Sequence, residues 1–182
     1  MLRSLLIAAA GFSATVAAGW FVLPAVSYRT VEQPVQFNHA VHTGGDSKMP
    51  CQDCHSIQDD GSFAGVPALS GCVTCHSEVM GKTKAELHFV NDYVKKNREP
   101  EWMIHSRQPD NAWFPHAAHV KRGGLKCEEC HGNHGSSKLN QPLKVNRISG
   151  YSRQVMDTMR MDDCVACHRR HKLAHSCADC HR

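Results

Sequence analysis

The chain has 182 residues, of which 41% are hydrophobic and 21% are charged. This composition is that of a globular protein, and it excludes collagen, coiled-coil rods and wholesale disorder. Ten cysteines and fourteen histidines, against six Phe, three Trp and three Tyr, favour a metal or a cofactor over a plain apolar core. The net charge of +4 comes from scattered Lys and Arg, so the charge pattern does not argue for nucleic acid as a partner.

A long apolar segment opens the chain. Residues 5–26 contain no charge and follow Arg3, and as a helix they are long enough to cross a hydrocarbon core of about 30 Å. We expect residues 1–28 to form a retained transmembrane anchor. A cleaved signal peptide is the alternative, because Ala25-Val26-Ser27 resembles a weak cleavage site.

Every cysteine belongs to one repeated motif, Cys-x-x-Cys-His. This motif is the attachment signal of c-type haem, in which two thiols reach the vinyl groups on one porphyrin edge and the histidine binds iron from one face. We therefore predict five covalent haems and no catalytic residue. The attachment residues are Cys51 and Cys54, Cys72 and Cys75, Cys127 and Cys130, Cys164 and Cys167, and Cys177 and Cys180. The predicted proximal iron ligands are His55, His76, His131, His168 and His181.

Zinc and disulfides are the alternatives for these cysteines. The first four have the spacing of a zinc ribbon, but a zinc site needs no histidine after each pair, and disulfides do not explain the constant two-residue gap. Haem is attached to such motifs on the outer side of the bacterial cytoplasmic membrane. We therefore expect a single-pass protein of the inner membrane with its body in the periplasm.

Nine histidines outside the motifs can supply sixth ligands. Iron held by two histidines is closed to substrates and suits electron transfer, whereas an open iron can be an active site. The segments Phe37–His42 and Phe114–His119 repeat the pattern Phe-x-His-x-x-His, which places two histidines on one side of a helical turn. We predict that these histidines cap the haems of the first four motifs in chain order: His39, His42, His116 and His119.

The fifth motif has no assigned partner. The candidates for its sixth ligand begin with His105 and continue with His88, His134, His171, Met159 and Met161. His175 lies too close to Cys177 in sequence to reach the far face of that haem, so it serves another iron or none. The methionines also suit gap filling against porphyrin. The surplus of histidines leaves room for a sixth haem without a motif of its own.

The spacing of the motifs predicts three parts after the anchor: a dihaem module over 29–81, a helical linker over 82–105 and a trihaem c7-like module over 106–182. With so little polypeptide for each haem, the porphyrins must serve as the core. We expect a mainly α or irregular fold, with short helices packed around stacked haems and little or no sheet.

The predicted linker carries the signals of a helix. Thr83 begins a capping box at its start, and Pro100 ends it. Leu87, Val90 and Val94 form the expected apolar stripe.

The Phe-x-His-x-x-His pattern followed by Cys-x-x-Cys-His resembles the cytochrome c3 and c7 family of small class III cytochromes, which stack haems with two histidine ligands. Nearly the whole chain resembles the pentahaem subunit of bacterial alternative complex III and the multihaem subunit of the related menaquinone reductase complex, Qrc. The compact, histidine-rich end favours the Qrc branch. The segments that carry this resemblance are Gln33–His42, Ala64–Pro67, Glu101–His105 and Phe114–His119.

This resemblance implies partners. In the Qrc-like interpretation, the anchored cytochrome sits beside iron–sulfur, molybdopterin-enzyme-like and polytopic quinone-binding subunits, and electrons pass from a soluble periplasmic cytochrome c3 toward menaquinone. In the alternative complex III interpretation they flow outward from menaquinol. A third hypothesis, a multihaem reductase with an open haem, needs an uncapped iron, and the surplus of histidines argues against it.

Overall fold

The computed structural model describes residues 2–63, 65–106, 108–109, 111–148 and 159–181. Ala64, part of one of the segments that carry the resemblance, lies outside the described residues. The chain forms two compact units. The first contains Met1–Glu32 and Pro142–Arg153, and the second contains Gln33–Gln141 and Gln154–Arg182.

The first unit is built on the apolar N-terminal segment. Helix α1 covers Leu2–Ala17, a π-helical turn covers Ala18–Val22, and helix α2 covers Leu23–Ser27. Pro24 has no N–H to donate to the preceding turn, and the wider π turn lies directly before it. The span has 26 residues, and an 18-residue window within it has a mean hydropathy of 1.9 and is not buried in the protein, so its length and composition fit a membrane anchor or a signal sequence.

A pair of short antiparallel strands, far apart in sequence, completes this unit. Strand β1, Tyr28–Val31, runs antiparallel to strand β2, Leu143–Asn146, with Tyr28 opposite Asn146. In the described part of the chain this two-stranded sheet is the whole of the sheet structure apart from isolated bridges. The predicted fold, mainly helical and irregular with little sheet, is confirmed.

The second unit consists of short helices, and the Cys-x-x-Cys-His motifs lie on them. Its buried apolar cluster contains Val35, Leu69, Phe89, Val90 and Tyr93, which is small for a unit of this length. The helices are α3 (His39–Thr43), α4 (Cys51–Cys54), α5 (Leu69–His76), α6 (Lys84–Phe89), α7 (Glu128–His131), α8 (Met161–Arg170) and α9 (Cys177–Cys180). Further turns are the π turns Val90–Val94 and Ala117–Arg122 and the 3-10 turn His134–Ser136.

The linker helix differs from its predicted form in two ways. The Thr83 hydroxyl caps α6 by accepting from the Glu86 N–H at 3.2 Å, but the Glu86 carboxylate accepts from the N–H groups of Met80 and Gly81 instead of returning to Thr83. The predicted stripe is partly wrong, because Leu87 is 41% exposed. The buried face is instead that of Phe89, Val90 and Tyr93, which are at positions i, i+1 and i+4 and so lie on one side of the helix.

Val90 is the most deeply buried of these side chains, with no exposed surface. We expect Val90→Ala to lower the free energy of unfolding of the haem-loaded protein by about 2 kcal/mol, because it removes buried methyl groups and leaves a cavity. Denaturant unfolding followed by circular dichroism measures this. Leu87→Ala, on the exposed side of the same helix, is the control, and an equal loss in both variants would contradict the observed packing.

Candidate functional site

The two Phe-x-His-x-x-His segments have the same geometry. The Phe37 ring lies edge-on to His39 at 4.8 Å and stacks on His42 at 4.3 Å, with interplanar angles of 81° and 21°. The Phe114 ring makes the same two contacts with His116 and His119, at 4.9 and 4.4 Å and at 88° and 22°. The sequence repeat is therefore a structural repeat, in which one phenyl ring fixes two imidazoles.

Backbone carbonyls orient the imidazoles of these repeats. Nδ1 of His42 lies 2.8 Å from the carbonyl of Asn38, and Nδ1 of His119 lies 3.0 Å from the carbonyl of Pro115. Because a carbonyl can only accept, Nδ1 carries the proton and Nε2 keeps its lone pair. This is the tautomer that binds a metal through Nε2 with its other nitrogen held by the protein.

Three motif histidines are oriented in the same way. Nδ1 faces a carbonyl in His55, His168 and His181, at 3.0, 2.6 and 3.1 Å. The acceptors are the carbonyls of Gly65, Ala174 and Asn111. In each case Nε2 is left to bind iron.

Three pairs of imidazoles face each other at a common spacing. The ring centres are 6.0 Å apart for His42 and His76, 6.3 Å for His116 and His131, and 6.1 Å for His119 and His168. Two imidazoles that share one metal ion, each with a metal–nitrogen distance of about 2 Å, have ring centres roughly 6 Å apart. The protein thus brings together the ligand pairs expected for the second, third and fourth motifs, and this spacing fits an iron between them.

Burial favours the neutral form of two repeat histidines, His39 and His116. It lowers the pKa of His39 to about 4, with smaller contributions from His55, His134 and His42. Burial is also the main cause of the lowered pKa of His116, and His131 and His119 lower it further. A neutral imidazole is the form that binds iron, so both side chains are prepared as ligands at neutral pH.

His39 lies among several histidines. Its ring centre is 6.4 Å from that of His134, whose ring is in turn 5.7 Å from His105 at 89°. Nδ1 of His39 is 3.2 Å from the Ser137 hydroxyl. The electrostatic effect of His55 on His39 places the first motif beside this group.

The fifth motif is held by a different segment. His181 forms an antiparallel bridge with Ala112, and the Trp113 N–H donates to the Cys180 carbonyl at 2.8 Å. Among the residues that the structure describes, no imidazole pairs with His181 in the way that His42 pairs with His76.

The remaining candidates have other contacts. Both ring nitrogens of His88 face acceptors, Nδ1 the Asp92 carboxylate at 2.8 Å and Nε2 the Pro34 carbonyl at 3.2 Å, so the structure places His88 in a surface hydrogen-bond network. Nδ1 of His175 lies 2.9 Å from the carbonyl of Leu173. His171 and Met161 are exposed. The side chain of Gln108 donates a hydrogen bond to the carbonyl of Met159 at 3.3 Å.

The cysteines are all free thiols. Within the described ranges, no three His, Cys, Asp or Glu side chains have the geometry of a metal site. Burial raises the pKa of five thiols, which favours the protonated form: Cys54, Cys72, Cys127, Cys130 and Cys164. Free thiols two residues apart on a short helix, followed by an oriented histidine, fit the attachment of haem c.

Thiols of different motifs are neighbours. Burial is the main cause of the raised pKa of Cys72 and of Cys127. The next cause is a thiol of another motif, Cys54 for Cys72 and Cys51 for Cys127. In the same way, Cys167 raises the pKa of Cys130 and Cys180 raises that of Cys164. By these electrostatic effects the second motif lies near the first, the first near the third, the third near the fourth and the fourth near the fifth.

Comparison with known proteins agrees with this site. The family "Class III cytochrome C family" matches residues 23–100, and the family "Cytochrome c7 and related cytochrome c" matches residues 112–182. The multiheme cytochrome c subunit of menaquinone reductase from Nitratidesulfovibrio vulgaris is 37% identical over 179 residues, which cover 90% of this chain and 83% of that protein. The chain belongs to the family of multihaem cytochrome c subunits of menaquinone reductase.

Membership in this family establishes the general chemistry. Class III cytochrome c domains carry covalent haem c, and a multihaem subunit of menaquinone reductase transfers electrons alongside other subunits of its complex. Because it is a c-type cytochrome, its body belongs on the periplasmic side of the membrane. The resemblance inferred from the histidine and cysteine motifs is confirmed.

Proposed function

We propose that this chain is a membrane-anchored periplasmic cytochrome with five covalent haems, which relays electrons from a soluble periplasmic cytochrome of the c3 type to the iron–sulfur and quinone-binding subunits of a menaquinone reductase. The observation that carries this proposal is the set of three imidazole pairs with ring centres 6.0 to 6.3 Å apart. Such pairs leave iron no open position for a substrate.

The proposed ligands follow from the site. The ten motif cysteines attach the haems, and the five motif histidines bind iron from one side. His42, His116 and His119 are the sixth ligands of the second, third and fourth haems, and His39 is that of the first. The rings of His105 and His134 are 5.7 Å apart and nearly perpendicular. A sixth haem without its own cysteines would bind at this pair.

The work of the polypeptide is to hold these ligands. Bound haem supplies one-electron transfer between ferrous and ferric iron. The carbonyls that hold Nδ1 select the imidazole tautomer and raise its basicity as a ligand, while the short helices bring neighbouring motifs close together. Residues 29–81 and 106–182 then act as dihaem and trihaem modules joined by the segment 82–105.

The partners and the anchor can be tested together. Gentle detergent extraction from native membranes, followed by mass spectrometry of the red fraction, should find the chain with iron–sulfur, molybdopterin-like and polytopic subunits. The intact mass of the chain should include residues 1–28. Isolation of the cytochrome alone, under conditions that preserve other membrane complexes, would contradict the proposed partners, and a mature chain that starts after Val26 would contradict the anchor.

Electron flow in the opposite direction, from menaquinol outward, is the second candidate, as in alternative complex III. The repeat and the motifs serve either direction equally well. The relative that matches nearly the whole chain is a subunit of menaquinone reductase, and this favours flow toward menaquinone.

A further inference from the structure

Phe63 lies near two histidines that belong to different haem sites. Its ring stacks on His116 with a centre-to-centre distance of 4.4 Å and an interplanar angle of 16°. The ring of His55 is also nearly parallel to that of Phe63, at 13°, with its centre 6.5 Å away. His55 belongs to the first motif, whereas His116 faces His131 of the third motif.

Two aromatic rings contact the imidazole of His116. Phe114 lies edge-on to it at 4.9 Å, and Phe63 covers its face. The interplanar angle between His116 and His131 is only 1°, against 51° for His42 and His76 and 37° for His119 and His168. The pair that Phe63 touches is the one whose two rings are parallel.

The loop that carries Phe63 is attached to the helical turn of the second repeat. Lys121 donates from Nζ to the Gln58 carbonyl at 2.7 Å. Gly61 has a φ of +87° and lies so close to Ala117 that an added Cβ would be 3.1 Å from the alanine methyl. A bridge between Ile57 and Phe63 closes the loop. These contacts hold Phe63 against His116.

Phe63 does not belong to the buried apolar cluster of the second unit. Its side chain is 43% exposed. Aromatic rings prefer defined mutual geometries, so the ring contacts of Phe63 bear on its role at this position. Those contacts are with His55 and His116.

We propose that Phe63 is a positioning residue that fixes the plane of His116. The proposal rests on the proposed ligation of iron by His116 and His131. The relative angle of two imidazoles sets the splitting of the iron d orbitals, so a change in this angle alters the electron paramagnetic resonance of ferric haem. Groups around the axial ligand also set the reduction potential.

The test compares Phe63→Leu with Phe63→Tyr in the full-length, haem-loaded protein. Electron paramagnetic resonance of the ferric form and a spectroscopic redox titration are recorded for both variants. Phe63→Leu removes the stacked ring, so one low-spin signal and one midpoint potential should shift while those of the other haems stay in place. Phe63→Tyr keeps the ring and should give the wild-type signal and potential. Val66→Ala, in the same region but without a ring contact, is the matched control.

The outcomes separate this proposal from the proposed function. Unchanged signals and potentials in Phe63→Leu, or an equal shift in Phe63→Tyr, would overturn the role of the ring. If Phe63→Leu loses haem, as shown by its pyridine haemochrome, Phe63→Met provides a flexible side chain without a ring for the same measurements. A wild-type protein without low-spin haem would overturn the proposed ligation, and with it both proposals.

Discussion

Replacing His119 with alanine is expected to convert one haem from low spin to high spin. The His119 ring centre lies 6.1 Å from that of His168, and its Nδ1 is held by the Pro115 carbonyl. Loss of this imidazole removes the sixth ligand of the fourth haem and opens one iron position. Electron paramagnetic resonance of the ferric protein should then show a new high-spin signal equivalent to about one haem, together with binding of a small ligand such as carbon monoxide to the reduced form.

His88 provides the matched control for this experiment. Both of its ring nitrogens are taken up by Asp92 and Pro34, so His88→Ala should leave every haem signal unchanged. A high-spin signal in His88→Ala would show that this histidine binds iron. A purely low-spin spectrum in His119→Ala would contradict the pairing of His119 with His168.

The second large effect concerns the chain made without haem. The buried cluster of the second unit contains Val35, Leu69, Phe89, Val90 and Tyr93, too few side chains to offset the conformational entropy of a unit of this length. Haem attached and ligated only in the native state stabilises that state. We therefore expect the chain exported without haem attachment to show no cooperative thermal transition, whereas the haem-loaded chain shows one.

The thermal transitions of the haem-free and haem-loaded chains are compared by circular dichroism at a wavelength that reports helix. The residual signal of the haem-free chain should come from the apolar helix Leu2–Ser27, so a variant that lacks this segment is the control. A haem-free chain that unfolds cooperatively at the temperature of the haem-loaded protein would show that the polypeptide core is sufficient.

Local patterns allowed much of this site to be predicted from the sequence. The spacing of Cys-x-x-Cys-His places the two thiols on or beside one short helix, with the histidine at or near its end. Phe-x-His-x-x-His places two imidazoles on one side of a turn. Both patterns depend on neighbours along the chain. The carbonyl that orients His42 belongs to Asn38, four residues earlier, which is also a local relation.

Contacts between distant segments were not predictable in this way. The stacking of Phe63 on His116 and the pairing of Tyr28 with Asn146 join residues far apart in sequence, and no periodicity indicates them. The exposure of Leu87 depends on which side of its helix the rest of the unit covers, and the covered side is that of Phe89, Val90 and Tyr93. The grouping of His39, His105 and His134 also arises only when three segments meet.

Electron exchange with quinone in the intact complex tests the central claim most directly. The haem bands of the complex would be followed by stopped-flow absorbance, first on addition of reduced cytochrome c3 and then on addition of a soluble menaquinone analogue. We expect the cytochrome to reduce the haems and the quinone analogue to reoxidise them. Haems that are reduced by the cytochrome but do not pass electrons to the quinone, with every partner subunit present, would contradict the assignment of this chain as the electron relay of a menaquinone reductase.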